Sequence, residues 1–439
     1  MEVHQQMLRA GAAQVEITPE PGVWLTGYAN RVRPATGTHD PLWARALFLE
    51  SEGKRAVLAA ADIIGFDDEL VTNVRQRVAR MAGIPPSHVM LAATHTHSAP
   101  NVRCLERMAP VDPAAVERLA EGLTGAIVGA ARSAEDAAIG AGFATGTIGA
   151  NRRRRTPQGA IVMEPNPEGP VDRRVGVLRV EGKRGTICVM LNHACHGVVL
   201  GPDNLLYSAD WPGAAARAAQ AATGGAVAIM TNGACGDINP AERGDFDAVE
   251  RQGATVARIG LGILDQLQLS SQVEIEAASR RVSLPTRALS LEEATQILEG
   301  SRADLATARE SGEPAAIRVC EIMHPWVQEM ADLAVAGAPP EPVIAEVQAI
   351  TVDDIALLGL PGEAFVEIGT NITSASPFRH TFIIGYANRL AGYLPTRRAF
   401  EEGGYEVEVA PRLYGLAPFT PEVQELIEGA SLALLKSLR

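Results

Sequence analysis

The stretch HVMLAATHTHSAP, residues 88–100, sets the reading of this chain. Its first half is an apolar run rich in Val, Leu and Ala, the pattern of a buried strand. Its second half places His95 and His97 two positions apart, directly after that run. In extended backbone, positions two apart face the same side, so both imidazoles project together from a strand end. Open α/β sheets place ligands at the carboxyl ends of their strands. A lone histidine there reads as a hydrogen-bonded core group. A His-x-His pair reads as metal chemistry.

Strand and helix signals alternate on both sides of this stretch. Residues 55–62 (RAVLAAAD) read as a buried strand, and Asp67 and Asp68 open a helix to about residue 82, where acidic side chains favour a helix start. An alanine-rich helix follows at about 113–133, then strands at 173–181 and 186–193. Helix 211–222, strand 225–231 and helix 246–268 come next. The stretch 272–345 differs, with an alternating strand followed by charged helical patterns at about 290–311 and 318–336. It reads as a helical hairpin inserted at about 285–340. Two strands over 343–360, a helix at 364–375 and a strand at 381–387 lead into a long irregular stretch, 388–415, before a closing helix. The alternation predicts an α/β fold, a layered mixed β-sheet flanked by helices, as one domain over residues 1–439.

Composition narrows the function. The chain carries 52 acidic against 39 basic residues, a net charge of −13, which repels nucleic acid and anionic headgroups. Aromatics make up 4%, a poor supply for a base-stacking surface. One basic run stands out, Arg152 to Arg155, which is either a solvated loop or a patch facing a cleft that would favour an anionic substrate. The N-terminus lacks a basic start followed by an apolar segment, and no stretch approaches the roughly 20 apolar residues of a membrane span. Five cysteines without paired spacing argue for a reducing compartment. These features predict a cytoplasmic protein with no stable membrane association and no nucleic-acid partner.

A second histidine cluster, NHACHG at 192–197, also follows an apolar strand. On a strand His193 and His196 point to opposite faces, so one belongs to a site and the other to the structure. Glu363 follows the apolar run IALLGL and the turn Pro361-Gly362, either as a ligand at the sheet edge or as a carboxylate opening the next helix. Other His-x-His patterns fit poorly. After His97, Ser98-Ala99-Pro100 supplies no Asp-His pair of the metallo-β-lactamase kind.

Ten segments, in order along the chain, resemble the catalytic domain of the neutral, non-lysosomal ceramidases. They are GAAQVEITP (11–19), TGYAN (26–30), GTHDPLWARAL (37–47), AAADI (59–63), THTHSAP (94–100), NRRR (151–154), NHACHG (192–197), NGACGDINP (232–240), LPGEAF (360–365), and YANRLAGYLPT from residue 386 continuing to Tyr405. The resemblance implies one zinc ion held by His95, His196, Glu363 and Tyr393. It implies a second tyrosine, Tyr405, and an arginine, best matched by Arg152, beside the scissile group. His97 would stand next to the metal-activated water, and Glu363 or His97 would take its proton. His39 and Asp62 match positions that shape the site.

The chain departs from the family pattern at Asn239, where the family carries a serine, which removes a candidate nucleophile. The reading also expects no immunoglobulin-like C-terminal domain and no secretion signal. The expectation is a zinc-dependent hydrolase of a carboxamide, acting on a soluble small-molecule amide. A same-fold ester or lactam hydrolase, a true ceramidase, and a non-catalytic metal-binding protein are the alternatives.

Overall fold

The computed structural model describes residues 7–439. The first six residues of the N-terminal stretch read above lie outside them. Three sheets meet around one core, and helices cover their outer faces. The first contains β1 (Arg9–Glu16), β2 (Trp43–Ser51), β3 (Lys54–Ala61) and β4 (Val89–Ala93), in the order β4-β3-β2-β1. Helix α1 (Asp68–Ala82) carries the chain from β3 to the parallel neighbour β4, and α2 (Pro113–Arg132) lies against β1 and β2. Asp67 caps α1 by accepting from Leu70 N, and Gly83 ends it with a left-handed φ of 65°.

Next come β5 (Ala138–Thr145), β6 (Gly149–Arg155), β7 (Ile161–Asn166), β8 (Arg174–Gly182) and β9 (Gly185–His193). Helix α3 (Asp210–Ala222) leads to β10 (Val227–Asn232), followed by β11 (Ile238–Pro240) and α4 (Phe246–Leu261). The second sheet runs β10-β9-β8-β5, with β9 and β10 parallel. The arginine run is not a loop: it lies in β6, the middle strand of a small β11-β6-β7 sheet. Helix α4 stops at Leu261, short of the expected residue 268, because Gly260 and Gly262 weaken the helix there.

The third sheet contains β12 (Ile275–Leu284), β13 (Val343–Val352), β14 (Ile355–Gly359) and a later strand; α5 (Leu291–Ser311) and α6 (Pro314–Ala336) are inserted between β12 and β13 as an antiparallel hairpin. Then follow β15 (Glu363–Ala364), α7 (Val366–Ala375), β16 (His380–Ile384) and β17 (Tyr393–Leu394), with β16 parallel to β14 and β17 parallel to β15. The expected irregular stretch 388–415 holds β17 and three short helices, α8 (Arg397–Glu402), α9 (Tyr405–Glu408) and α10 (Ala410–Tyr414). Gly403 and Gly404, both at positive φ, break α8 from α9, so no helical period is long enough to read. Helix α11 (Val423–Ser437) closes the chain.

Side-chain alternation explains the layering. Leu47, Leu58, Met90, Met190, Leu357 and Phe382 come from all three sheets into one shared core. The opposite faces pack under helices, as Val189 and Leu191 do beneath Trp211 and Val256. No helix of the described residues is long and apolar enough to cross a membrane. Each sheet contains one parallel strand pair, and the loops leaving these pairs converge.

Gly236 shows how tight that convergence is: a Cβ there would lie 2.2 Å from the backbone oxygen of Glu363. Gly236→Ala should lower stability by about 1–3 kcal/mol in urea unfolding. Gly300→Ala, in α5 with open space around it, should instead leave stability unchanged or raise it by up to about 1 kcal/mol.

Candidate metal centre

The chain leaves β4 at Ala93, and His95 adopts a left-handed backbone with φ of 58°. The two histidines of THTHS therefore do not meet by strand alternation, as the sequence suggested. They meet because the backbone turns over at His95. The ring of His95 stacks flat on Tyr386, 3.8 Å between centroids and 3° between planes. Its Nδ1 bonds the carbonyl of Ile64 at 2.6 Å. A carbonyl only accepts, so Nδ1 carries the proton and Nε2 presents a lone pair.

His196 is arranged in the same way. Its Nδ1 lies 2.7 Å from the Cys235 carbonyl, on the loop leaving β10, and 3.1 Å from that of Ile238, at the start of β11. The THTHS and HACHG loops bridge in parallel at Thr96 and Gly197. A Cβ on Gly197 would sit 2.9 Å from the His95 oxygen, so only glycine allows this approach. His193 does not join the centre. It bonds the Arg174 carbonyl through Nδ1 at 3.0 Å and accepts from Ile148 N through Nε2 at 3.3 Å, a buried structural role.

Glu363, on β15, brings a carboxylate between the two imidazoles. Its Oε2 is 2.9 Å from His196 Nε2 and 3.4 Å from His95 Nε2. Burial opposes its charge, so the carboxylate calls for a positive charge beside it. The other oxygen, Oε1, accepts from the Tyr414 hydroxyl. Burial pulls His196 down to about 4, so it is neutral at neutral pH, as a ligand must be. His97 Nε2 approaches His95 Nε2 to 3.4 Å, and burial likewise keeps its ring neutral.

The ligating atoms of His95, His97 and His196 lie within 4.8 Å of one another. Ligands about 2.0–2.1 Å from a tetrahedral zinc stand about 3.3 Å apart. The observed spacings of 2.9–3.4 Å suit such a group. The donor set fits too, since lone pairs facing one another at this range favour a cation between them. These residues could hold a metal ion.

Tyr393 pairs in register with Glu363, β17 against β15. Its hydroxyl accepts from Arg152 Nη2 at 2.9 Å. Burial pushes this phenol up, with Arg152 pulling the other way, so the neutral phenol is favoured in this arrangement. Arg152 also reaches His196 Nε2 at 3.5 Å and Asn239 Oδ1 at 3.1 Å. Its guanidinium stands over the rings of Tyr393 and Tyr405, 5.5 and 5.8 Å from their centroids. The structure thus fixes the arginine register. A bulge between Asn151 and Arg153 turns two consecutive arginines inward. Arg152 Nε and Arg153 Nη1 both pair with the buried Glu406, at 2.9 and 2.6 Å. Arg154 pairs with Glu164, and Arg155 with Glu402. Each arginine of the run has a carboxylate partner, with three carboxylates shared among the four.

His39 and Asp62 lie in structural roles. His39 bonds Asp40 at 2.9 Å and stacks on Phe246. Asp62 accepts from Trp43 N and Arg45. Sequence reasoning missed Tyr414, Tyr386 and Glu406. Tyr386 opens a segment that was read without being singled out, and Glu406 directly follows that segment, but Tyr414 lies in the stretch where no pattern was visible.

A sequence profile of the neutral/alkaline non-lysosomal ceramidase N-terminal region matches residues 8–256. A curated neutral ceramidase from Pseudomonas aeruginosa is 25% identical over 508 aligned positions, covering 98% of this chain and 72% of that protein. The crystal structure of neutral ceramidase from Pseudomonas aeruginosa superposes with a TM-score of 0.74 at 22% identity, covering 98% of this chain and 75% of that one. A ceramidase complexed with C2 gives a TM-score of 0.76 at 20% identity over 98% of this chain and 76% of that one. The two structures share the fold.

Glu406 is the counter-charge for two buried guanidiniums. Removing one partner of a buried pair strands the other charge. Glu406→Gln should cost about 3–5 kcal/mol in urea unfolding, whereas Glu164→Gln, on the exposed Arg154 pair, should cost at most about 1 kcal/mol.

Proposed function

The chain belongs to the neutral/alkaline non-lysosomal ceramidase family, and from that premise we propose that it is a zinc-dependent hydrolase of carboxamides. The reaction converts an N-acyl amine and water into a carboxylic acid and an amine. The C–N bond breaks, a C–O bond forms, and the leaving nitrogen gains a proton. The observation that carries this reading is the convergence of His95, His97 and His196 with Glu363. In this reading His95, His196, Glu363 and Tyr393 hold the zinc. A bound zinc supplies Lewis acidity, polarising the carbonyl and lowering the pKa of water toward neutrality.

The chain's own residues divide the remaining work. Both Glu363 oxygens are engaged, by Tyr414 and by the two imidazoles. His97 is neutral, so it can accept the water's proton. Burial raises the Tyr405 phenol, so it remains a donor at neutral pH. With the protonated Arg152 it would stabilise the developing oxyanion. Asn239 bonds Arg152 rather than offering a hydroxyl, in keeping with a route that has no acyl-enzyme.

The proposed substrate is a soluble, small amide. The hairpin supports this. Ile322 of α6 packs with Ile64, Leu105, Met108 and Leu413 beside Tyr405 and Tyr414. Arg318 donates to the Met108 carbonyl at 2.8 Å, and Trp326 Nε1 to that of Leu416 at 2.8 Å. The hairpin therefore straps together two loops that frame the centre. Free thiols at all five cysteines accord with the proposed cytoplasmic setting. Ceramide hydrolysis is the competing reading, favoured by the Pseudomonas relative that spans the chain.

Elemental analysis should find about one zinc per chain, lost together with hydrolysis in His95→Ala and His196→Ala. Tyr405→Phe should keep the zinc and lower kcat by about 100- to 1000-fold. Full zinc in both histidine variants would overturn the ligand assignment. Efficient turnover of long-chain ceramide in detergent, with short N-acyl amides refused, would replace the small-amide reading with that of a ceramidase.

A further inference from the structure

Two arginines flank the open side of the centre without a carboxylate. Arg31 is 3% exposed. Its Nη1 donates to the carbonyls of His97 at 2.6 Å and Thr26 at 2.8 Å, and its Nε to that of Pro202 at 3.3 Å. Its buried Nη2 has no partner. Arg243 is exposed, donating from Nε to the Val198 carbonyl and from Nη2 to the Tyr28 hydroxyl, both at 2.8 Å. Among the described residues, neither guanidinium has a carboxylate within the 4.0 Å of an ion pair.

Tyr28 joins them. The Arg31 guanidinium lies 4.9 Å from its ring centroid. The same ring meets His97 edge-on at 5.0 Å. Its hydroxyl donates to the Leu200 carbonyl, on an open surface cleft whose wall includes Arg243. Three acids lie nearby, and none of them pairs with either guanidinium. Asp245 caps α4 through Ala248 N, and Asp210 accepts from Val199, Leu200 and Trp211 N. Asp203 stands exposed at the cleft's outer edge.

A chain with a net charge of −13 pairs nearly every buried guanidinium with an acid, as at Arg45, Arg152 and Arg153. Arg31 is held by carbonyl dipoles and the face of the Tyr28 ring, with no carboxylate partner, and burial lowers its pKa to about 10. Such a charge is poorly compensated and attracts an anion. We propose that the Tyr28 corner is a carboxylate-binding subsite, so that the amide cleaved at the centre carries an acidic group, as an N-acyl amino acid does. Arg243 makes the direct contact from the cleft, and Arg31 supplies the buried positive field. A single exposed guanidinium beside one phenol suits a singly charged carboxylate better than a polyanion, which the acidic surface repels.

This inference rests on the amide-hydrolase reading, and the test separates the two. The full-length zinc-loaded protein is given an N-acylglycine and the N-acylethanolamine of the same acyl chain, which differ by the carboxylate. Cleavage of either, above a Glu363→Ala background, supports the hydrolase. The subsite predicts a preference for the acylglycine of about tenfold or more in kcat/KM. Arg243→Gln should collapse that ratio chiefly through KM, and raised salt should weaken it. Arg31→Gln, which retains donors for the carbonyls, should narrow the ratio as well. Equal turnover of the two amides, or an unchanged ratio in Arg243→Gln, overturns the subsite. If neither amide is cleaved, the hydrolase reading fails, and calorimetry decides the subsite alone. Binding of the acylglycine over the acylethanolamine, lost in Arg243→Gln, upholds it. Absence of that preference refutes it.

Discussion

A carboxylate that is 3% exposed has to be answered by its surroundings, and much of this site is the answer to Glu363. His95 and His196 meet one oxygen and Tyr414 the other. Backbone carbonyls of Ile64 and Cys235 fix the imidazole protons on Nδ1, so both Nε2 atoms turn lone pairs toward the oxygen they share, and a cation between them would answer the carboxylate. Those carbonyls sit on loops leaving β3 and β10, so the charge state of Glu363 links loops from separate sheets. A second balanced group stands behind it, with Arg152 and Arg153 set against Glu406. Arg152 touches both groups, through His196 and Tyr393 on one side and Glu406 on the other. Moving any one of these side chains disturbs the hydrogen bonding of the rest.

The fold makes such a meeting possible by repeating one device. Each large sheet carries a parallel pair, β3 with β4, β9 with β10, β14 with β16. The carboxyl ends of these pairs point into one region, where side chains from different strands gather. The loops there carry backbone strain. His95 and Tyr386, the two stacked rings, both have positive φ, near 58° and 56°. Non-glycine residues hold that conformation only where the surroundings over-determine it. Here the carbonyl bond, the stack and the Thr96–Gly197 bridge supply that constraint.

Much of this was legible in the sequence, for reasons that can be named. Long apolar runs with capped helices between them, such as 55–93, carry their own period and caps, and α1 and β4 fall where these predict. The hairpin α5–α6 was readable from its charge pattern, and Ser290 with Glu293 forms a capping box at its start. The strands β1 and β2 were not read. RAGAAQVE and WARALFLES mix small and charged residues, and only pairing with one another reveals them as strands. The arginine run failed as a loop for a related reason. Four charges in a row look solvated until buried acids such as Glu406 arrive from 250 residues away.

The site divides along the same line. His95, His97, His196 and Glu363 stand at the ends of strands, so short motifs mark them and spacing carries the information. Tyr414 stands on a five-residue helix and Arg31 in a loop, and neither has a local signal. Their positions depend on long-range contacts, Tyr414 through Glu363 and Arg31 through the His97 and Pro202 carbonyls. Chemistry that must be built on rigid strand ends therefore leaves a trace in sequence. Recognition built on the loops around it does not, because loops tolerate change and are placed by whatever packs against them. This is why the family could be read from ten short segments, while the unpaired guanidiniums around Tyr28 came into view only once the loops carrying Tyr28, Pro202 and Arg243 were seen together.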